Sequence, residues 1–265
     1  MQRRVAGTQV THHATGLFFM RVQFSCGQVT HEDLQVQLKL FAEPYSMQWT
    51  LNPADQAMRT VLFVSKEGHC LNDLLFRWKS GSLAADIPAI VSNHETHRSL
   101  AESYGIPFHH LPLPAAGGSA AAPSREAAKR AQEREIEALV ERERIDLVVL
   151  ARYMQILSPE LCTALAGRAI NIHHSFLPSF KGARPYFQAH ARGVKLIGAT
   201  AHYVTADLDE GPIIEQDVQR VDHTMSAEDF TAAGRDIECM VLARAVRWHL
   251  EHRVLVDGRK CVVFR

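Results

Sequence analysis

From Val61 onward the chain alternates short apolar, β-rich runs with stretches whose apolar residues recur at helical spacing. TVLFVS (60–65) reads as a buried strand, LNDLLFRW (71–78) as a helix, IPAIVSN (87–93) as a second strand, and HRSLAESYG (97–105) as a helix closed by a C-terminal glycine. The unit then repeats. LPLPAAGGSAAAPS (111–124) is a small-residue loop, and Ser124 is placed to cap the charged helix after it, whose Ile136, Leu139 and Val140 supply an inward stripe. IDLVVLA (145–151) predicts a strand, SPELCTALAG (158–167) a helix opened by Ser158 and Pro159, and AINIHHS another strand. Two further apolar runs, KLIGATAHYV (195–204) and PIIEQDVQRV (212–221), flank TADLDEG (205–211). A long helix is expected from Ser226, with Ile237, Val241, Ala245 and Trp248 at helical spacing, and a hairpin around Asp257-Gly258 closes the chain. This alternation predicts an α/β fold, a mainly parallel twisted sheet with helices on both faces.

The first 55 or so residues follow another pattern: a strand LFFMRVQF (17–24), an amphipathic helix around Leu34, Leu38 and Phe41, and a short strand MQWTL (47–51). Pro53 and Ala54 make a linker, so two domains are expected, 1–55 and 56–265. With 265 residues and 46% hydrophobic composition, the chain can build one ordinary core and a smaller second unit. Lys plus Arg and Asp plus Glu number 29 each, so no bulk field favours nucleic acid or an anionic membrane, and the expected partner is a small molecule. Cys26, Cys70, Cys162, Cys239 and Cys261 lie far apart with no C-x-x-C pair, which argues against a disulfide framework or a zinc-thiolate site and fits a reducing cytoplasm. The start carries no apolar segment behind its basic residues, and no run of about 18 apolar residues occurs, so neither export nor a membrane span is expected.

Within NIHHSFLPSFKGARP the strand period puts Asn171 and His173 on one face and Ile170 and Ile172 on the other. The strand runs into a loop at Ser175 to Pro178, so the polar pair sits near a carboxyl end, where open parallel sheets place ligand crevices. A lone histidine there would most simply be a buried ring satisfied by a backbone carbonyl. Two polar groups on one face need more. In LDEGPII, Asp209 precedes a Gly211-Pro212 turn between two apolar strands; alone it would be a turn residue. Carboxamide, imidazole and carboxylate together are what acyl transfer needs without a metal: an oxyanion donor, a proton shuttle, and a group that orients the imidazole and a water.

Other histidines fit metal ligation poorly. HETH (94–97) lacks the H-E-x-x-H spacing, and His12-His13 and His109-His110 are adjacent pairs that would diverge in a strand, so solvated loops are expected. His174 should face away from His173 if the strand continues, and His202 is expected to be a core histidine with a backbone partner. No serine stands in a G-x-S-x-G turn, so no serine triad is expected.

N-I-H at 171–173, the following SFLPSFKGA, and GATAHYVTADLDEGPII at 198–214 resemble the formyltransferase-fold family, which includes glycinamide ribonucleotide transformylases, methionyl-tRNA formyltransferases and formyltetrahydrofolate deformylases. The double histidine in NIHHSFLPSFKGARPY and VSKEGHCLNDLL at the first strand-helix turn are most similar to the deformylase branch. The resemblance runs from about Arg59 to the C-terminus. It implies a catalytic group of Asn171, His173 and Asp209, and hydrolysis of 10-formyltetrahydrofolate to tetrahydrofolate and formate, supplying formate for purine biosynthesis and balancing the one-carbon pool. It also implies a pterin pocket lined by Met154, Ile156 and Leu157, although packing in the core would explain Ile156 as well. Val204, Thr205, Ala206 and Asp207 would meet the pterin's polar edge, and Thr200 would be a supporting hydroxyl. No cofactor and no metal are implied; the folate is the substrate.

In the ribonucleotide-using relatives a Gly- and Ser-rich turn cradles a phosphate after the first strand. Here Ser65-Lys66-Glu67-Gly68-His69-Cys70 offers one glycine and a repelling Glu67, and no large basic domain for tRNA follows, so water is the expected nucleophile. A folate sensor without chemistry is the non-enzymatic alternative. The resemblance further implies an N-terminal ACT regulatory unit, of which ATGLFFMRVQF, the next helix and WTLNPA match only the second half, and a homo-oligomer.

Overall fold

A computed structural model describes residues 5–12, 16–114, 124–178 and 184–265 of the chain. His13, most of the small-residue loop at 111–124, and the end of the loop after the double histidine lie outside the described residues. The chain divides after Ala57 into two compact units.

In the first unit β1 (Val5–His12) and β2 (Leu17–Phe24) form an antiparallel hairpin, followed by α1 (His31–Ala42). Thr30 caps α1 by accepting from the Asp33 N–H, as a hydroxyl before an acidic first turn should. Two expectations fail here. His12 ends a strand rather than sitting in a loop, because β1 gains a full ladder from β2 despite Gly7 in its middle. Conversely, 47–51 forms no strand: among the described residues it has no neighbour to complete its backbone bonds, and alternation alone does not hold a strand.

The second unit follows the predicted alternation. Its elements are β3 (Met58–Val64), α2 (His69–Lys79), β4 (Ala85–Ser92), α3 (Arg98–Ser103), β5 (Phe108–His110), α4 (Arg125–Arg142), β6 (Leu147–Leu150), α5 (Pro159–Ala164), β7 (Ala169–His173), α6 (Pro185–Ala191), β8 (Leu196–Tyr203), β9 (Ile213–Arg220), α7 (Ala227–Leu250), β10 (Val254–Asp257) and β11 (Lys260–Val263). The expected caps form. Ser124, Ser158 and Ser226 accept from the N–H of Ala127, Leu161 and Asp229, and Asp229 returns the bond to Ser226. His109 and His110, expected in a solvated loop, form the edge strand β5, where His110 Nδ1 lies 2.9 Å from Glu95.

The sheet order is β10-β11-β9-β8-β7-β6-β3-β4-β5. Strands β5, β4, β3, β6 and β7 run parallel, and β8 and β9 are antiparallel additions beside β7. Alternate residues of β3 feed opposite faces. Leu62 and Val64 join the α2 and α7 side with Leu71, Leu75 and Val241, whereas Val61 and Phe63 join the α4 and α5 side with Ile136, Leu139 and Leu161. The chain reverses its direction of travel across the sheet between β3 and β6, so a ligand crevice is expected outside their carboxyl ends. Among the described residues no helix is long and apolar enough to cross a membrane.

Packing α7 on this sheet buries a histidine. His249 Nδ1 meets the Tyr203 hydroxyl at 2.6 Å, and burial pushes the imidazole down from its ordinary 6.5 to about 4. Such a ring is neutral in the fold and protonates first in the unfolded chain, so stability falls as pH drops from about 6.5 to about 4. At 1.36 kcal/mol per unit the loss is on the order of 3 kcal/mol. Urea midpoints at pH 7 and pH 4.5 should differ accordingly, and His249→Gln should flatten the dependence; the same slope in both proteins would remove His249 as its source.

Candidate active site

Asn171 and His173 lie on β7, whose antiparallel neighbour β8 sets Asn171 opposite His202 and His173 opposite Thr200. Directly opposed residues share a face, so four polar side chains gather beside the crevice. Ile170 and Ile172 turn to the other face and pack in the α2 and α7 core, as the strand period predicts.

Asp209 arrives from the connection between β8 and β9. That loop is tight: Val204 N–H bonds the Ala169 carbonyl, the Thr205 hydroxyl donates to the Asp207 carbonyl at 3.0 Å, and Glu210 N–H reaches back to Asp207. Asp209 itself takes φ +59, a left-handed conformation that aspartate tolerates better than most residues. Two residues on, Gly211 passes so near β8 that an added Cβ would stand 1.7 Å from the Tyr203 carbonyl oxygen. Only glycine lets the loop close this far.

Closure places Asp209 Oδ1 3.1 Å from His173 Nδ1 and 3.8 Å from His202 Nε2. The Asp209 side chain is 14% exposed. Its hydrogen bond to His173 outweighs the opposing effect of burial and holds the carboxyl below the usual range, so Asp209 is an anion at neutral pH. His173 thus spends Nδ1 on Asp209 and keeps Nε2, a buried atom with no hydrogen-bond partner among the described residues.

His202 is the expected core histidine with a backbone partner, and it also touches the site. Its Nδ1 lies 2.9 Å from the Tyr203 carbonyl, which can only accept, so Nδ1 carries the proton. Burial pushes its pKa down and keeps the ring neutral, which leaves Nε2 to accept from the Asn171 amide at 3.3 Å. The Asn171 NH2 group is thereby oriented by a neighbour on β8. Strand alternation shows Asn171 but not this partner, which depends on the register between strands separated by a helix.

Thr200 is fully buried. It donates to the Ser175 carbonyl at 2.9 Å and accepts from the Leu177 N–H and from Gln216 Nε2, so it braces the turn after the double histidine. His174 does not face away: its ring lies 5.3 Å from that of His173, because β7 ends at His173 and the alternation lapses. Burial and the nearby Arg152 charge lower the His174 pKa to about 4.

Met154 and Ile156 are 56% and 62% exposed in the segment after β6, so Ile156 does not pack in the core. Leu157 does; it joins the α4 and α5 cluster. The segment is tied to β3 by Ser65, whose hydroxyl accepts from the Met154 N–H at 2.8 Å and donates to Asn93 at 2.7 Å. Val204 and Thr205 are half-buried, and Ala206 and Asp207 are exposed at the other rim.

The formyl transferase family model matches residues 58–246, and the chain belongs to that family. It is 48% identical over 251 residues to a formyltetrahydrofolate deformylase of Bacillus subtilis (strain 168), covering 94% of this chain and 80% of that protein. The crystal structure of a Burkholderia mallei formyltetrahydrofolate deformylase aligns with TM-score 0.91 and 48% identity over 99% of this chain and 90% of that one. A glycinamide ribonucleotide transformylase from Symbiobacterium toebii aligns less well, with TM-score 0.70 and 29% identity over 82% of this chain and 99% of the other. Within the family, therefore, the chain is one of the formyltetrahydrofolate deformylases, an enzyme and a hydrolase.

The Gly211 contact yields a test of the loop's role. Gly211→Ala must move either the loop or β8, and overpacking of this kind typically destabilises by about 1–3 kcal/mol. A lowered thermal midpoint with a fall in turnover is expected, whereas Gly27→Ala, which has open space at its Cβ, should stay within about 0.5 kcal/mol of the parent. A fully active, undiminished Gly211→Ala protein would show that Asp209 does not depend on this close approach.

Proposed function

We propose that the enzyme hydrolyses 10-formyltetrahydrofolate to tetrahydrofolate and formate with water as nucleophile, through Asn171, His173 and Asp209. The observation that carries this reading is the His173 Nδ1 to Asp209 contact of 3.1 Å, which leaves His173 Nε2 buried and unpartnered beside the oriented Asn171 amide. Two donors then flank one point, with an anionic carboxylate behind them.

The formyl carbonyl lies against the Asn171 Nδ2–H and the Nε2–H of a protonated His173, whose Nδ1–H faces Asp209. Water, oriented by Asp209, attacks the formyl carbon as its proton passes to the carboxylate, and the tetrahedral oxyanion is held by the two donors. His173 passes its Nε2 proton to N10 as the C–N bond breaks, the formic acid so formed returns a proton to Nε2, and Asp209 gives the proton it took from water to solvent. The balance is one water consumed, one N10–H formed, and formate released with a proton.

Met154, Ile156 and the backbone at Leu157 form the apolar wall for the pterin, and Val204, Thr205, Ala206 and Asp207 face its polar edge. The exposure of Met154 and Ile156 supports this, since buried core residues could not serve. Thr200 acts indirectly through the turn it braces. The reaction needs neither cofactor nor metal, and the formate feeds purine biosynthesis and balances the one-carbon pool in the cytoplasm. The first unit, with its β1-β2 hairpin and α1, is read as part of an ACT regulatory domain, and the protein as a homo-oligomer.

Purified protein incubated with 10-formyltetrahydrofolate and no amine acceptor should release formate. Asn171→Ala should slow release about 100- to 1000-fold while leaving the thermal midpoint unchanged, and Asp209→Asn should be at least as slow. Equal formate production by wild type and Asp209→Asn would remove Asp209 from the mechanism; turnover only with an amine present would make the protein a transferase.

A further inference from the structure

Outside the Asn171, His173 and Asp209 group, one buried cluster of charges has no part in the chemistry described so far. Glu238 on α7 is 1% exposed. His69 Nε2, at the start of α2, lies 2.7 Å from its Oε2, the Tyr186 hydroxyl of α6 donates to its Oε1 at 2.8 Å, and Arg152 Nε stands 3.4 Å from Oε2. The room for this is built into α7: at Gly234, one turn before Glu238, an added Cβ would stand 2.1 Å from Tyr186 Cζ. Burial works to raise the Glu238 carboxyl, yet the His69 bond, the Arg152 charge and the Tyr186 bond together hold it below the usual range.

A cation is a poor fit for this cluster. His69, Cys70 and Glu238 have ligand atoms within 4.8 Å of one another, but both carboxylate oxygens already face protein donors and a guanidinium stands beside them. What the cluster does hold in place is Arg152.

Arg152 follows β6 at the switch between β3 and β6, with φ +64 and its carbonyl accepting from the Ser65 N–H. Leu150 pairs with Asn171 in the parallel ladder, so Arg152 and His173 each lie two residues further along neighbouring chains. Asn171 and His173 face the side where Leu150 packs, whereas Arg152 turns toward α2 and α7, across the end of the sheet. The His174 ring, 5.3 Å from that of His173, lies within the field of Arg152. The Arg152 side chain is only 13% exposed, and its Nε and Nη1 are buried without a hydrogen-bond partner among the described residues; the 3.4 Å approach of Nε to Glu238 is an ion pair without hydrogen-bond alignment. Buried guanidinium donors left unpaired are costly and call for an acceptor.

Hydrolysis creates such an acceptor. Formate forms as an anion next to Asp209, itself an anion, and like-charge repulsion favours a position beside a cation on the other side of the histidine pair. We propose that Arg152, anchored by Glu238, His69 and Tyr186, forms a subsite for a one-carbon carboxylate, the formate product, on the α2 and α7 side of His173 and His174. The identity of the anion rests on the hydrolytic reading; the subsite itself rests on Arg152.

Formate binding is therefore measured directly, on the purified full chain without folate, by line broadening of 13C-formate at constant ionic strength. Arg152→Gln should weaken binding at least tenfold. Glu238→Gln keeps the shape but removes the charge that anchors the guanidinium, and should weaken binding several-fold. Thermal melting establishes that each variant is folded, and if Arg152→Gln does not fold, Glu238→Gln decides alone. Formate affinity unchanged by these substitutions, or no formate binding to the wild type, overturns the subsite. A wild type that binds formate through Arg152 but releases none from 10-formyltetrahydrofolate would overturn the hydrolytic reading and leave the subsite standing.

Discussion

The antiparallel pairing of β8 against β7 is the constraint on which the geometry of the candidate site hangs. It sets His202 against Asn171 and Thr200 against His173, and it brings the next loop back over the same face. Because side chains alternate at every residue, a slip of one position would turn His202 and Thr200 to the other side of the sheet. Register therefore decides which side chains share the face of the candidate site. Gly211 then fixes how far the loop closes, and Asp209 reaches His173 only because the backbone passes β8 with no side chain between. Strain at Asp209, a non-glycine residue at φ +59, is the kind that a surrounding structure must hold in place.

Much of this was legible from residue order. Period-two alternation assigned Asn171 and His173 to one face, and the serines at 124, 158 and 226 marked helix starts that the structure keeps. Strand β5 and helix α6 were not, since three residues carry too little pattern for a strand and PYFQAHA too short a period for a helix. MQWTL failed in the opposite sense, with alternation but no ladder partner among the described residues. At the site, the His202 contact with Asn171 depends on which residue it opposes across a ladder, and the Arg152 ion pair on a left-handed φ and a carboxylate 86 positions later in the chain, information that local pattern does not carry.

The two sides of the histidine pair differ in character. Toward α4 and α5 the segment after β6 leaves Met154 and Ile156 exposed over a core that takes Leu157, which suits a flat aromatic substrate. Toward α2 and α7 the same segment presents Arg152 against the Glu238 cluster. One short stretch of chain thus separates an apolar wall from a charged one, with His173 between. Asp209 stays ionised and His174 neutral under these fields, so the site holds its proton pattern at neutral pH.

At the centre of the account is the claim that His173 and Asp209 act as one unit through their direct contact. A double-mutant cycle on formate release, comparing His173→Ala, Asp209→Ala and the pair, measures that coupling. The losses should be strongly non-additive, with the double variant within a few-fold of the slower single one. Losses that multiply would mean that the two side chains work independently and that their contact is incidental to the chemistry.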